Sequence, residues 1–317
     1  MQEQNNTWEQ GVLEKLALSA IQEQRKTRRW SIFFKSLTFG YLFIVLFLII
    51  GWIGHGESGL VSGKHTALVE LEGTISSSSS ANADNLISSL QTAFKDKGTQ
   101  GVVLRINSPG GSPVQSGLVY DEMNRLRKLY PKIPLYVVVQ DMCASGGYFI
   151  AAAADKIYVN KASIVGSIGV LMDGFGFTGA MSKIGVERRL LTAGDNKGFM
   201  DPFSPRNAKH EAFTLQMLEE IHQQFIGVVK QGRGSRLKND PEIFSGLFWS
   251  GQKSIELGLA DEIGSLEYVA REVIKVENIV DFTTRDGFAD RLAKRFGAGI
   301  ASTFPGFSSQ IGGMVLH

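Results

Sequence analysis

Cysteine is almost absent from this chain: Cys143 is the only one in 317 residues, which excludes an intrachain disulfide and leaves stability to packing. An excess of charge of either sign is missing too. With 33 Lys and Arg against 31 Asp and Glu the net charge is +2, so no electrostatic footprint for nucleic acid is present. Phosphate-cradling glycine loops and zinc-ligand spacings are lacking, and the expected chemistry therefore needs no cofactor and no metal. Histidine is scarce and badly placed. None of His55, His65, His210, His222 and His317 falls in a glycine-punctuated segment beside a strand-like run, where the base of a serine triad would be expected.

What the chain does have is one long apolar run. No charge occurs from residue 36 to residue 54. At about 1.5 Å per residue such a helix approaches the roughly 30 Å hydrocarbon core, so the run predicts a transmembrane helix. A cleaved signal peptide is the rival reading, but 35 residues precede the run and no Ala-x-Ala-like site follows Ile53. Arg25, Lys26, Arg28, Arg29 and Lys35 crowd the N-terminal flank without an acid among them, which predicts a cytoplasmic N-terminus and an extracytoplasmic remainder. Segment 1–35 carries Leu13, Leu16, Ala17, Ala20 and Ile21 at helical spacing, consistent with a short amphipathic helix resting on a membrane or partner, or a solvated marginal one. Residues 55–65 read as a glycine-rich linker.

From residue 66 the pattern alternates. Strand-like runs Ala67 to Leu71, Val102 to Ile106, Leu135 to Val139 and Ile157 to Val159 are separated by helical periodicity at Asp84 to Phe94, Ser116 to Leu129 and Gly146 to Ala154. This predicts an α/β domain with a largely parallel sheet over residues 66–285. A further strand-like run is Glu187 to Leu191. Pro205 to Arg233 predicts a long helix with Phe213, Met217, Ile221, Phe225 and Val228 or Val229 on one stripe.

Ser145 lies between the run ending at Val139 and the small apolar run Ile150 to Ala154, followed by Gly146 and Gly147. A serine at such a strand-to-helix turn is exposed above a positive helix N-terminus, which suits a nucleophile whose attack generates an oxyanion. With no histidine well placed, the better base is Lys197, in a glycine-flanked loop after Leu191. A lysine base must be neutral at working pH, far below its reference pKa of about 10.4, and should thus be enclosed by apolar neighbours, for which Phe199, Met200 and Phe203 are at hand. Gly110 and Gly111, after the run ending at Ile106, and Gly146 are the candidate donors of an oxyanion hole, because glycine lets a backbone N–H approach a carbonyl closely.

The run Asn107-Ser108-Pro109-Gly110-Gly111, then Ser145-Gly146-Gly147, then Val165-Gly166-Ser167-Ile168-Gly169-Val170, then Lys197, in that order and spacing, resembles the bacterial signal peptide peptidase A family. The resemblance extends from about Thr66 to about Ile274 and matches the short form with one catalytic repeat. It implies a Clp protease/crotonase-like fold of repeated strand-strand-helix units. Ser145 would be the nucleophile, Lys197 the general base and Ser167 the residue that orients the lysine. It further implies cleavage of hydrophobic peptides, released signal peptides among them, at the outer face of a bacterial cytoplasmic membrane. A homo-oligomer in which the serine of one subunit meets the lysine of the next is also implied, although an intrachain dyad remains open. A catalytically silent membrane scaffold and a crotonase-type thioester enzyme are the competing functions. Residues 286–317 match nothing and are assigned no role.

Overall fold

A computed structural model describes residues 25, 26, 28–47 and 63–284. The chain divides into two compact units, residues 1–60 and 61–317. In the first, helix α1 (Arg28–Phe47) runs 20 residues with a mean hydropathy of 1.7, long and apolar enough to cross a membrane. The Thr38 hydroxyl at mid-length donates to the Phe34 carbonyl at 2.8 Å, so that polar group is satisfied within the helix. The rest of the expected span (48–54), the amphipathic stretch at 13–21, most of the linker and the segment 286–317 lie outside the described residues.

The second unit is built on an eight-stranded sheet. Strands β1 (His65–Glu72), β2 (Thr99–Ser108) and β3 (Leu135–Ala144) form its parallel centre, and the order along the sheet is β6-β5-β3-β2-β1-β8. Here β5 is Ile164–Gly166, β6 is Phe248–Ser250 and β8 is Ile279–Asp281; β4 (Lys156–Val159) pairs with the lower half of β3 and with β7 (Glu262–Ile263). Only the β5–β6 pair is antiparallel. Val102, Val103, Leu104 and Ile106 are all fully buried, the continuous apolar reading of a strand covered on both faces.

One face packs under α2 (Ala83–Lys95), α3 (Pro113–Leu129) and α4 (Gly146–Ala151), while Leu266 and Val269 close the other over Leu68, Val103, Val138 and Tyr158. Helix starts follow local chemistry. Asn82 accepts from the Asn85 amide at 2.8 Å, and Ser112 stands before Pro113 at the first helical position of α3. The mixed α/β, Clp protease-like class predicted from the sequence holds.

Two expectations change. Glu187 to Leu191 is no strand: after β5 the chain leaves the sheet, and among 170–207 only a short helix α5 (Thr178–Lys183) forms. Helix α4 ends at Ala151 rather than Ala154, because Asp155 must turn back, its amide donating to the Leu135 carbonyl at 2.9 Å, to start β4. The long helix α6 (Ala208–Arg233) forms as expected, but of its stripe Phe225 and Val229 are buried whereas Phe213 is 62% exposed. Its N-terminal half has no sheet beneath it.

Candidate active site

The carboxyl ends of β2 and β3 bring the sequence-predicted glycines and Ser145 together. Ser145 ends β3 and opens α4 with φ 50° and ψ −121°. A left-handed serine is strained by about 1–3 kcal/mol, and the surroundings hold it there: its amide donates to the Gly166 carbonyl at 2.8 Å and its carbonyl accepts from the Phe149 amide at 2.9 Å. This is the sharp strand-to-helix turn that lifts a nucleophile off the sheet. Cys143, two residues earlier on β3, is fully buried, and desolvation pushes its thiol far up from the ordinary range. It is a packing residue.

The glycine loop after β2 fits against this turn. Gly110 has φ +99°, and a Cβ there would lie 2.7 Å from both the Gly146 amide nitrogen and the Ser145 Cβ. Gly111 has φ +146°, and its Cβ would overlap the Ile75 carbonyl oxygen. Both positions therefore exclude any side chain. The amide of Gly110 is not free, since it donates to Ser108 Oγ at 3.1 Å while that hydroxyl donates to the Gly73 carbonyl at 2.6 Å. The amides of Gly111 and Gly146 donate to no acceptor among the described residues, and the Gly111 nitrogen stands 3.3 Å from where a Cβ on Gly146 would lie. These two N–H groups, not three, remain for an oxyanion.

Sequence reasoning passed over the braces of this loop. Ile75 receives the loop on its backbone, donating to the Gly110 carbonyl at 2.8 Å and accepting from the Ser112 amide at 2.8 Å. Buried Ser116 presses its hydroxyl to within 2.5 Å of a Cβ position on Gly146 and donates to the Ser112 carbonyl at 3.0 Å. Neither carries a sequence signal of its own; only the pairing of the 73–76 turn with the glycine loop makes them visible.

Ser167, just past β5, also has a positive φ of 52°, and its amide donates to the Leu247 carbonyl at 2.7 Å. It lines the same cavity as Ser145, a cleft of about 1000 Å³ walled by Val114, Leu118, Phe149, Val170, Leu171, Ile221 and Phe225. Among the described residues Asp121 is the one charged side chain on its wall.

Lys197 is not on that wall. It is exposed, in a turn where its amide donates to the Gly194 carbonyl at 3.1 Å, and the expected apolar enclosure within one chain does not form. The aromatic neighbours pack on other rings instead: Phe199 on His210 at 4.8 Å between centroids, Phe203 on Phe177 at 5.3 Å. Among the described histidines, His222 has its Nε2 3.2 Å from the Ile168 carbonyl, yet it too is off the cavity wall.

Behind α4 a buried ion pair holds the frame. Arg233, 1% exposed, donates both terminal nitrogens to the Asp261 carboxylate at 2.9 Å and its Nε to the Gly258 carbonyl at 2.8 Å. Burial alone would raise the Asp261 pKa. The Arg233 guanidinium, the Ile157 amide and Arg236 outweigh it and hold that carboxyl below the usual range. Tyr148 of α4 donates to the Leu259 carbonyl at 2.7 Å, tying the nucleophile's helix to the same loop.

Comparison with known proteins places this fold. The model of peptidase family S49 matches residues 127–280, and that of Clp protease matches residues 66–165. A Brucella abortus protein named Na(+)/H(+) antiporter NhaA is 46% identical over 183 residues, 58% of this chain and 25% of that protein. An Enterococcus faecium protein named as a signal peptide peptidase SppA is 31% identical over 202 residues, covering 64% of this chain and 58% of its own length. A Synechocystis protein named as a protease is 30% identical over 205 residues, 64% of this chain and 71% of that one. The chain thus belongs to peptidase family S49, while spanning a quarter of the Brucella relative and somewhat over half of the Enterococcus one.

Proposed function

We propose that this chain is a membrane-anchored serine endopeptidase in which Ser145 is the nucleophile and Lys197 the general base, and that it degrades hydrophobic peptides, released signal peptides among them, at the outer face of a bacterial cytoplasmic membrane. The observation that carries the reading is Ser145 held at φ 50° beside the unengaged amides of Gly111 and Gly146, at the mouth of an apolar cleft. Ser145 Oγ attacks the scissile carbonyl as its proton passes to the neutral lysine. The two amides take the oxyanion, and the lysinium returns the proton to the leaving amine. Ser167, on the cleft wall with Ser145, orients the lysine.

Exposure of Lys197 within one chain favours the shared arrangement, in which the lysine of a second copy completes the site. The segment that bears it leaves Leu171, Phe175 and Leu191 79%, 79% and 94% exposed, apolar surface of the kind that association covers. Family membership and helix α1 support a peptidase tethered to a membrane. Transport is not carried over from the antiporter name. That name belongs to a protein of which this chain matches a quarter, and among the described residues α1 alone is long and apolar enough to cross a membrane.

The test is trapping by a serine-directed fluorophosphonate together with peptide hydrolysis by the full chain in detergent. Wild type labels and cleaves, Ser145→Ala does neither, and Lys197→Ala and Lys197→Arg are both inactive, since a guanidinium does not deprotonate at working pH. Co-expression of Ser145→Ala with Lys197→Ala restores part of the activity if the dyad is shared. A mixture that co-assembles yet stays inactive places the dyad in one chain, and turnover by Lys197→Arg removes lysine as the base.

A further inference from the structure

Resting on the peptidase reading, we infer that Asp121 makes the Ser145 cleft a dual-specificity pocket, accepting a lysine or arginine side chain of the substrate as well as a large apolar one. Helix α3 begins beside Gly111 and carries Val114, Gly117, Leu118 and Asp121 on the face that lines the cleft. Asp121 follows Ser116, which abuts Gly146, by five residues, about 7.5 Å along the helix axis at 1.5 Å per residue. A rise of that order is within the reach of an extended lysine or arginine side chain. The walls along the way are apolar: Val114 and Leu118 of α3, Phe149 of α4, Ile221 and Phe225 of α6.

A four-carbon stem lies on such walls while its ammonium or guanidinium reaches the carboxylate at the exposed rim. No cation on the cleft wall competes for Asp121. Its carboxylate makes no hydrogen bond or ion pair with the described residues, in contrast to Glu122 beside it, which is held by Arg125. Because Asp121 is exposed at the rim, an apolar side chain leaves it in water and is not penalised. A leucine and a lysine are therefore both admitted, and an acidic side chain is turned away.

The experiment uses the full chain in detergent and three peptides that differ only in the residue before the cleaved bond, Leu, Lys or Glu. Wild type cleaves the Leu and Lys peptides and not the Glu peptide. Asp121→Asn lowers kcat/KM for the Lys peptide by roughly three- to tenfold, the range for loss of one charge-assisted contact, and leaves the Leu peptide within about twofold. Asp121→Lys abolishes cleavage of the Lys peptide and admits the Glu peptide. A wild-type enzyme that cleaves the Leu peptide but not the Lys peptide overturns the inference, as does an Asp121→Asn variant that loses both in proportion. Both results leave the peptidase reading intact. Absence of fluorophosphonate labelling at Ser145 together with no cleavage of any peptide overturns both.

Discussion

Replacing Asp261 by asparagine removes one charge from a pair whose partner cannot reach water. Arg233 is 1% exposed, and the Asp261 carboxylate takes both of its terminal nitrogens at 2.9 Å. Asparagine keeps an oxygen for the Ile157 amide, which donates to Asp261 at 2.7 Å, so the backbone of β4 stays satisfied while the guanidinium is left uncompensated. Breaking one side of a buried ion pair costs about 3–5 kcal/mol. For a domain of this size each kcal/mol moves the melting point by about 2–4 °C, so a loss of roughly 6–20 °C is expected in a thermal melt followed by circular dichroism. Adding Arg233→Met removes the stranded charge and should recover part of the loss.

The pH dependence has a fixed sign. The folded pKa of Asp261 lies below its unfolded value, so its contribution is present above the unfolded carboxylate pKa of about 3.9 and is lost as pH falls through the folded value. Wild type and Asp261→Asn should therefore converge on acidification below about pH 4. A melting point shifted by less than about 2 °C at pH 7, or a double variant no better than the single, would refute the claim that this pair is a buried brace.

Gly110→Ala drives a Cβ against the Gly146 amide and the Ser145 Cβ, and should slow fluorophosphonate labelling by roughly a hundredfold, the effect of a lost oxyanion donor. Labelling at the wild-type rate would deny the two amides their role. Gly111→Ala, whose Cβ would lie 2.1 Å from the Ile75 carbonyl oxygen against 2.7 Å for the nearest contact at Gly110, should lower the melting point further than Gly110→Ala does, as well as lowering activity. Cys143, its thiol held protonated by burial, should resist iodoacetamide in the native protein and react only after unfolding; rapid native alkylation would contradict its packing role.

Much of the fold was legible because the signals were local. The apolar centre of β2 and the periodicity of α2 each fix their element without help from the rest of the chain, whereas α3, expected from Ser116, begins three residues earlier at Pro113. Ser145 was legible for the same reason, since glycines after an apolar strand demand a turn, and that turn sits at φ 50°. Gly110 shows the limit. Sequence identifies a glycine that lets backbone approach, but whether its amide is free depends on Ser108 Oγ, a hydrogen-bond choice that neither residue type dictates.

The segment 170–207 was the least legible part. A run such as Glu187 to Leu191 has strand propensity, but propensity becomes a strand only where a neighbour offers its edge, and β6 already occupies the free side of β5. Leu171, Phe175 and Leu191 stay exposed because none of the described residues covers them. The same fact bears on Lys197. A lysine serves as a base only when stripped of water, and under the shared arrangement proposed above a second copy would supply the covering surface. Sequence pattern reads what a chain does with itself, and on that proposal the arrangement of Lys197 would belong to what the chain does with a second copy.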